Sequence, residues 1–205
     1  MTRNNSIKFK LLLLLIATSI SQICFADVIG MSSSTMKFGW ATGLGSHNME
    51  SRDGSTKKID SVQPYNLIVT DWLNNGLSYW VEAYYASYRF SPTEVNLGQQ
   101  VTQYGTRASL LYNFYLLKYL QPWVGVGLDT AYSQFSKRHT IDFEGYLAKQ
   151  FSDENKWDIG YLVHAHNAWN YSKNLSLGIK AEYRIPFSDS IKSSTLGFFI
   201  LYRPR

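Results

Sequence analysis

The chain is poor in what usually stabilises an exported protein or carries one across a membrane as helices. It has one cysteine, Cys24. Beyond residue 26 there is none, so a mature form starting there closes no disulfide. Charged residues make up 17%, against about a quarter in soluble domains. Past the leader no run of 18 apolar residues occurs, so no helix of ordinary length spans a bilayer. Glycine-rich phosphate loops, zinc spacings and nucleic-acid motifs are missing, and the expectation is no cofactor, no metal and no nucleic-acid partner. The net charge of +5 adds nothing to a nucleic-acid reading, because three of the basic residues sit in the leader.

That leader is read as residues 1–26. Arg3, Lys8 and Lys10 form a basic start, Leu11 to Ile16 an apolar stretch, and Cys24-Phe25-Ala26 a small-x-small cleavage site. The pattern is that of a cleaved secretory signal, too short for a membrane span. Ile23 stands where a lipoprotein needs a small residue, which argues against lipidation. Residues 27–205 then form one domain.

What is abundant is aromatic: 15 Tyr, 11 Phe and 6 Trp, or 16%. The apolar residues recur with a period of two. In 174–187, Leu175, Leu177, Ile179, Ala181, Tyr183 and Ile185 share one parity, while Ser176, Gly178, Lys180, Glu182 and Arg184 share the other. Such alternation puts the two sets on opposite faces of a β-strand. The same pattern recurs near 35–45, 61–72, 77–90, 101–115, from 123, at 157–169 and at 194–203. Connections alternate long and short: polar loops at 46–60, 89–100, 134–156 and 187–193, and tight turns between them. Asn74-Asn75-Gly76 is a hairpin turn by composition. Within 134–156, Ile141 to Phe151 is read as an extended arm of the outer hairpin, which keeps the strand count at eight. This rhythm predicts an all-β fold, a transmembrane antiparallel up-and-down β-barrel of eight strands. Trp40, Trp72, Trp157, Trp169 and Tyr202, near strand ends, are read as interfacial anchors.

If the apolar face meets lipid, the polar face fills the lumen. Glu82, Arg107, Asp129, Lys180, Glu182 and Arg184 then point inward, three acids against three bases. An eight-stranded barrel is just wide enough for side chains to fill it, and charges there require partners. The expectation is a non-conducting plug, with a narrow, porin-like pore as the alternative.

Three segments carry a resemblance. Leu120-Gln-Pro-Trp-Val-Gly-Val-Gly-Leu128 is similar to the "PYxGxGxG" strand of small outer-membrane barrels of the OmpA, OmpX and opacity type. Asn174-Leu-Ser-Leu-Gly-Ile-Lys-Ala-Glu-Tyr-Arg184 resembles their "NLSLGxxYRY" strand, and Thr195 to Arg203 their closing "LGxxYRF". The resemblance implies a Gram-negative outer-membrane location and contact with membrane lipid and lipopolysaccharide. It also implies insertion by the barrel-assembly machinery and a structural or surface-interaction role through the loops, with host or envelope proteins as partners. A monomer is expected. Such chains usually end on an aromatic residue; this one continues past Tyr202 to Arg203, Pro204 and Arg205.

A second resemblance bears on chemistry. His164-Ala165-His166-Asn167-Ala168 is similar to the His-x-Ser-Asn-Ala signature of lipid A 3-O-deacylases, and Phe143-Glu144 loosely resembles another part of that family. It implies His164 as a base, with Glu182 as a distant carboxylate candidate. His166 stands in the nucleophile's place, and imidazole does not replace a serine hydroxyl there. No catalytic residue is assigned; His164, His166 and Glu182 are the candidates for a lipid esterase or an inactive relative.

Overall fold

The computed structural model describes residues 35–50, 56–74, 76–94, 96–114, 121–188 and 191–204. The leader at 1–26 lies outside them, as do Asn75 of the first tight turn and 115–120 of the second. The strands are β1 (Lys37–Glu50), β2 (Thr56–Asn74), β3 (Leu77–Phe90), β4 (Gly98–Asn113), β5 (Trp123–Ile141), β6 (Leu147–Gln150), β7 (Glu154–Asn170), β8 (Leu175–Pro186) and β9 (Lys192–Tyr202). Eight of them pair antiparallel in the order β4-β3-β2-β1-β9-β8-β7-β5, and β4 pairs β5 to close the ring. Closure leaves no free barrel edge, the condition for backbone to cross hydrocarbon as strands.

The ninth strand is not part of the ring. Among the described residues β6 pairs only with His139 to Ile141 at the far end of β5. It forms a hairpin arm above β7, along the same side of β5. A bulge precedes the arm, since Gln100 faces Ser136 while Gly98 faces His139. Lys137 sits in that bulge with φ of 54°, the left-handed conformation.

Two loops read from sequence are therefore largely strand. In 46–60, β1 runs to Glu50 and β2 starts at Thr56; in 134–156, β5 runs to Ile141 and β7 starts at Glu154. Hydrogen bonding to the neighbour keeps these arms extended although their side chains do not alternate between polar and apolar. Pro64 consequently lies within β2 rather than near a loop end. It falls where Ala41 faces Asn66 but Gly43 faces Gln63, an irregularity that tolerates a missing donor. That extra residue switches the parity of β2, so Ile59 and Ser61 share the inner side with His47.

The exposed face is apolar and aromatic, the reverse of a soluble protein. Leu44, Leu67, Leu110, Val126, Leu128, Val163, Leu196, Phe198 and Ile200 all point outward and are exposed. Tyr104 and Phe114 flank this belt along β4, and Tyr161 and Tyr171 along β7. At a tilt near 40° each pair stands about 25 Å apart along the axis, the height of a barrel's apolar band. Trp72 is not in the belt. It meets the lumen residue Trp123 edge-on, with centroids 5.2 Å apart, and covers the short-turn mouth.

Candidate functional site

Among the described residues, side chains alternate between the lumen and the outer face, with the parity of β2 switched at its irregularity, and the lumen divides into three layers. Toward the short turns Ala41, Ile68, Trp80, Leu111, Trp123, Phe199 and Leu201 pack together. Toward the long hairpins Ala86, Tyr88, Phe90, Val101 and Ile191 pack with Ile59 and Phe135. His47 belongs to this upper layer, stacked on Tyr88 with centroids 3.9 Å apart and with Nε2 2.8 Å from the Ser61 hydroxyl.

Between them lies a charged layer built from β3, β4, β5, β7 and β8. The Glu82, Arg107 and Asp129 positions follow one another across β3, β4 and β5 as direct partners. Arg107 Nε donates to Asp129 Oδ2 at 3.1 Å, and Nη1 donates to Glu182 Oε2 at 2.7 Å and reaches Glu82 Oε1 at 3.5 Å. Its guanidinium also lies over the Tyr84 ring, 3.9 Å from the centroid. Lys180 donates to Glu82 and, at 3.1 Å, to Glu182. Arg184 donates to Asp129, to Asp158 Oδ2 at 2.9 Å and to the Ile191 carbonyl at 2.9 Å. Trp80 Nε1 donates to Glu82 at 3.1 Å, and the Tyr84 hydroxyl to Asp129 at 3.3 Å.

The structure thus joins all six lumen residues read from sequence and adds a seventh, Asp158, which also accepts from Ser188 at 3.0 Å. The balance is four carboxylates to three cations, not three to three. The alternation of β7 already put Asp158 opposite Trp157, which was the available signal. Each ion is buried, so each depends on its partners: an isolated charge in such surroundings costs several kcal/mol. The geometry is that of a cross-brace linking five strands through the middle of the barrel.

The histidine cluster sits at the lower edge of this layer. His164 is fully buried, and its Nε2 lies 3.2 Å from His166 Nδ1. Trp80 packs edge-on against His164 at 4.9 Å and tilted against His166 at 4.7 Å. His164 Nδ1 is 3.8 Å from Glu182 Oε1, and neither atom hydrogen-bonds to another described protein atom. The ring nitrogens of His164 therefore face an imidazole and a carboxylate rather than a hydroxyl. Phe143 and Glu144 are remote from it. They lie in the turn past Ile141, whereas His164 faces Gly125 near the start of β5. Ser176 is a lumen residue that donates to Asn170 at 2.8 Å and accepts from Lys37 at 3.1 Å; Ser172 caps the β7–β8 turn.

Outside the barrel, the β5–β6 arm is exposed along the whole of β6. Asp142 organises its turn by accepting from the Glu144 and Tyr146 amides at 3.0 and 2.8 Å. Arg138 fastens its base, pairing with Glu154 at 2.9 Å and donating to the Ser152 carbonyl at 3.0 Å. The arm presents Phe143, 82% exposed, with Tyr146 and Leu147.

No family model matches the chain, and no curated protein matches its sequence. Solved structures do match. Ail, the attachment invasion locus protein of Yersinia pestis, is 15% identical with a TM-score of 0.50, covering 82% of this chain and 98% of that one. Neisserial surface protein A is 16% identical with a TM-score of 0.50, covering 82% and 97%. OprG from Pseudomonas aeruginosa is 10% identical with a TM-score of 0.52, covering 82% and 95%. A second Ail structure, with a TM-score of 0.51, is a complex with the heparin analogue sucrose octasulfate. In fold, the chain is a small, closed, eight-stranded antiparallel β-barrel of the outer-membrane type.

Proposed function

We propose that the protein is an integral outer-membrane barrel that works as a rigid support for surface-exposed hairpins. The carrying observation is a pairing of opposites. The lumen is filled by a braced ionic layer between two apolar layers, while the β5–β6 arm holds Phe143, Tyr146 and Leu147 out in water on a hydrogen-bonded frame. An exposed apolar cluster on an ordered element is the usual mark of a contact surface. The arm and its base carry Lys137, Arg138, Lys149 and Lys156 against Asp142, Glu144, Asp153 and Glu154. With charge balanced, recognition rests on the aromatic side chains more than on attraction of a polyanion.

The test replaces 142–147 by a two-residue turn and compares cells carrying either form. Heat-modifiable migration on a gel checks that the barrel still folds. Protease access to 141–150 in intact cells checks orientation. Binding is then scored against host-cell surfaces, envelope proteins and sulfated polysaccharide, the last because the Ail structure holds a heparin analogue. Loss of binding with the arm supports the reading; equal binding by both forms removes it. Export by a cleaved leader is checked by the N-terminal sequence of the mature protein.

A further inference from the structure

Strand tilt makes the outward face uneven around the barrel. Tyr85, Tyr104, Tyr132 and Trp157 are successive partners across β3, β4, β5 and β7. Followed onward, this row passes beyond Pro186, the end of β8, because Gly160 already faces Pro186. Followed from Tyr85 the other way, through Tyr65 and β1, it meets β9 near Phe198, in mid-strand. The row therefore climbs toward the long hairpins as it goes from β3 to β7. Three inter-strand steps of about 4.8 Å at a tilt near 40° lift Trp157 about 9 Å above Tyr85.

At that height most of the rim is polar. On β3 the outward residues above Tyr85 are Ser87 and Arg89; on β4, above Tyr104, they are Thr102 and Gln100. The β7–β8 side is different. Trp157, 66% exposed, Ile159 and Phe187 continue the apolar surface upward from Tyr161 and Ile185. They are held in place: the Trp157 ring packs on Tyr132 at 5.0 Å, Phe187 meets Tyr161 edge-on at 4.5 Å, and the Phe187 amide donates to the Ile159 carbonyl. Lys192, exposed and outward on β9, lies one residue beyond the Ser193 partner of Arg184, beside Ile185.

We propose that this ridge of Trp157, Ile159 and Phe187, with Lys192 at its flank, is a binding site for the phosphorylated sugar headgroup of an outer-leaflet glycolipid. The ridge is continuous with the lipid-facing belt, so what covers it lies in the same leaflet. It stands at headgroup height, above the level where the rest of the rim turns polar. Aromatic faces suit the apolar faces of sugar rings and the first carbons of acyl chains. A lysine beside them supplies the charge a phosphate needs. The inference rests on the outer-membrane reading above.

The experiment places a photo-cross-linking benzoylphenylalanine at one position at a time in the full chain, in cells: Trp157, Ser87 on the opposite rim, and Val126 in mid-belt. The expected result is a lipopolysaccharide adduct from Trp157 at several times the Ser87 yield, reduced several-fold by Lys192→Glu. Comparable yields from Trp157 and Ser87 overturn the site, as does a Trp157 adduct dominated by a second copy or by another envelope protein. Insensitivity to Lys192→Glu overturns the phosphate contact. A Val126 probe that captures no lipid overturns the outer-membrane reading itself, which separates the two failures.

Discussion

Removing the Arg107 guanidinium tests the brace most directly. It touches Glu82, Asp129 and Glu182 and covers the Tyr84 ring, all within a buried layer that lies between two hydrophobic clusters. Charges about 4 Å apart attract by roughly 4 kcal/mol at an effective dielectric constant near 20. Most of that gain offsets the cost of having taken the ions out of water. Truncation removes the gain and keeps the cost for the three carboxylates, which must then share Lys180 and Arg184. The expected penalty for Arg107→Met is about 3–5 kcal/mol. At 1.4 kcal/mol per factor of ten, that is a rise of at least about a hundredfold in the unfolded fraction. Urea unfolding in lipid vesicles, followed by tryptophan fluorescence and the gel shift between folded and unfolded barrel, reads it out. Adding Glu182→Gln deletes one of the stranded carboxylates, so the double variant should lose less than the sum of the singles by at least about 1 kcal/mol. A loss below about 1 kcal/mol for Arg107→Met, or strict additivity with Glu182→Gln, refutes the cross-brace.

Other outcomes follow from the same geometry. Val126→Arg puts a charge in the middle of the lipid-facing belt and is expected to cost about 2–4 kcal/mol of folding stability in bilayers, against near zero for Ser87→Arg at the rim; equal effects would contradict the orientation of β5. A Cβ on Gly105 would stand 2.4 Å from Tyr84 Cζ, so Gly105→Ala should destabilise by about 1–3 kcal/mol, and much less in a Tyr84→Ala background. Lys137→Gly relieves a left-handed residue at the β5 bulge and should raise stability by about 1 kcal/mol in the same unfolding assay. Planar bilayers holding the wild-type barrel should show no large stable single-channel currents, because apolar layers close both ends of the charged one.

The barrel was legible in the sequence because parity survives folding wherever one face is apolar and outward and the other fills the lumen. Along β8 and β9 the alternation read from residue types is the alternation of burial. It was not legible where the two faces stop differing in polarity. In 46–60 and 134–156 apolar residues are present but do not alternate with polar ones along the strand, so a hydrogen-bonded arm and a loop read alike. The irregularity at 63–66 then inverts the register beyond it, which brings Ile59 and Ser61 to the lumen side beside His47, a residue composition alone assigns to a loop. Trp72 misled for another reason: an indole that caps a lumen and one that sits at an interface are the same residue near the same strand end. The ionic layer was foreseeable from parity, and Asp158 with it. Its pairing was not, since contacts such as Glu82 with Lys180 join strands that are neighbours only across the lumen.

The Asp142 turn closes its own hydrogen bonds within five residues, from the Asp142 amide to the Tyr146 carbonyl, and no barrel strand depends on it. It is therefore a place to graft. A foreign peptide opened between Glu144 and Gly145 adds mainly loop-closure entropy, about 0.6 kcal/mol for each doubling of length. The brace that would have to yield for the barrel to unfold lies in a separate layer of the molecule. The chain is thus a candidate display scaffold, in which inserted sequence and barrel stability can be varied independently.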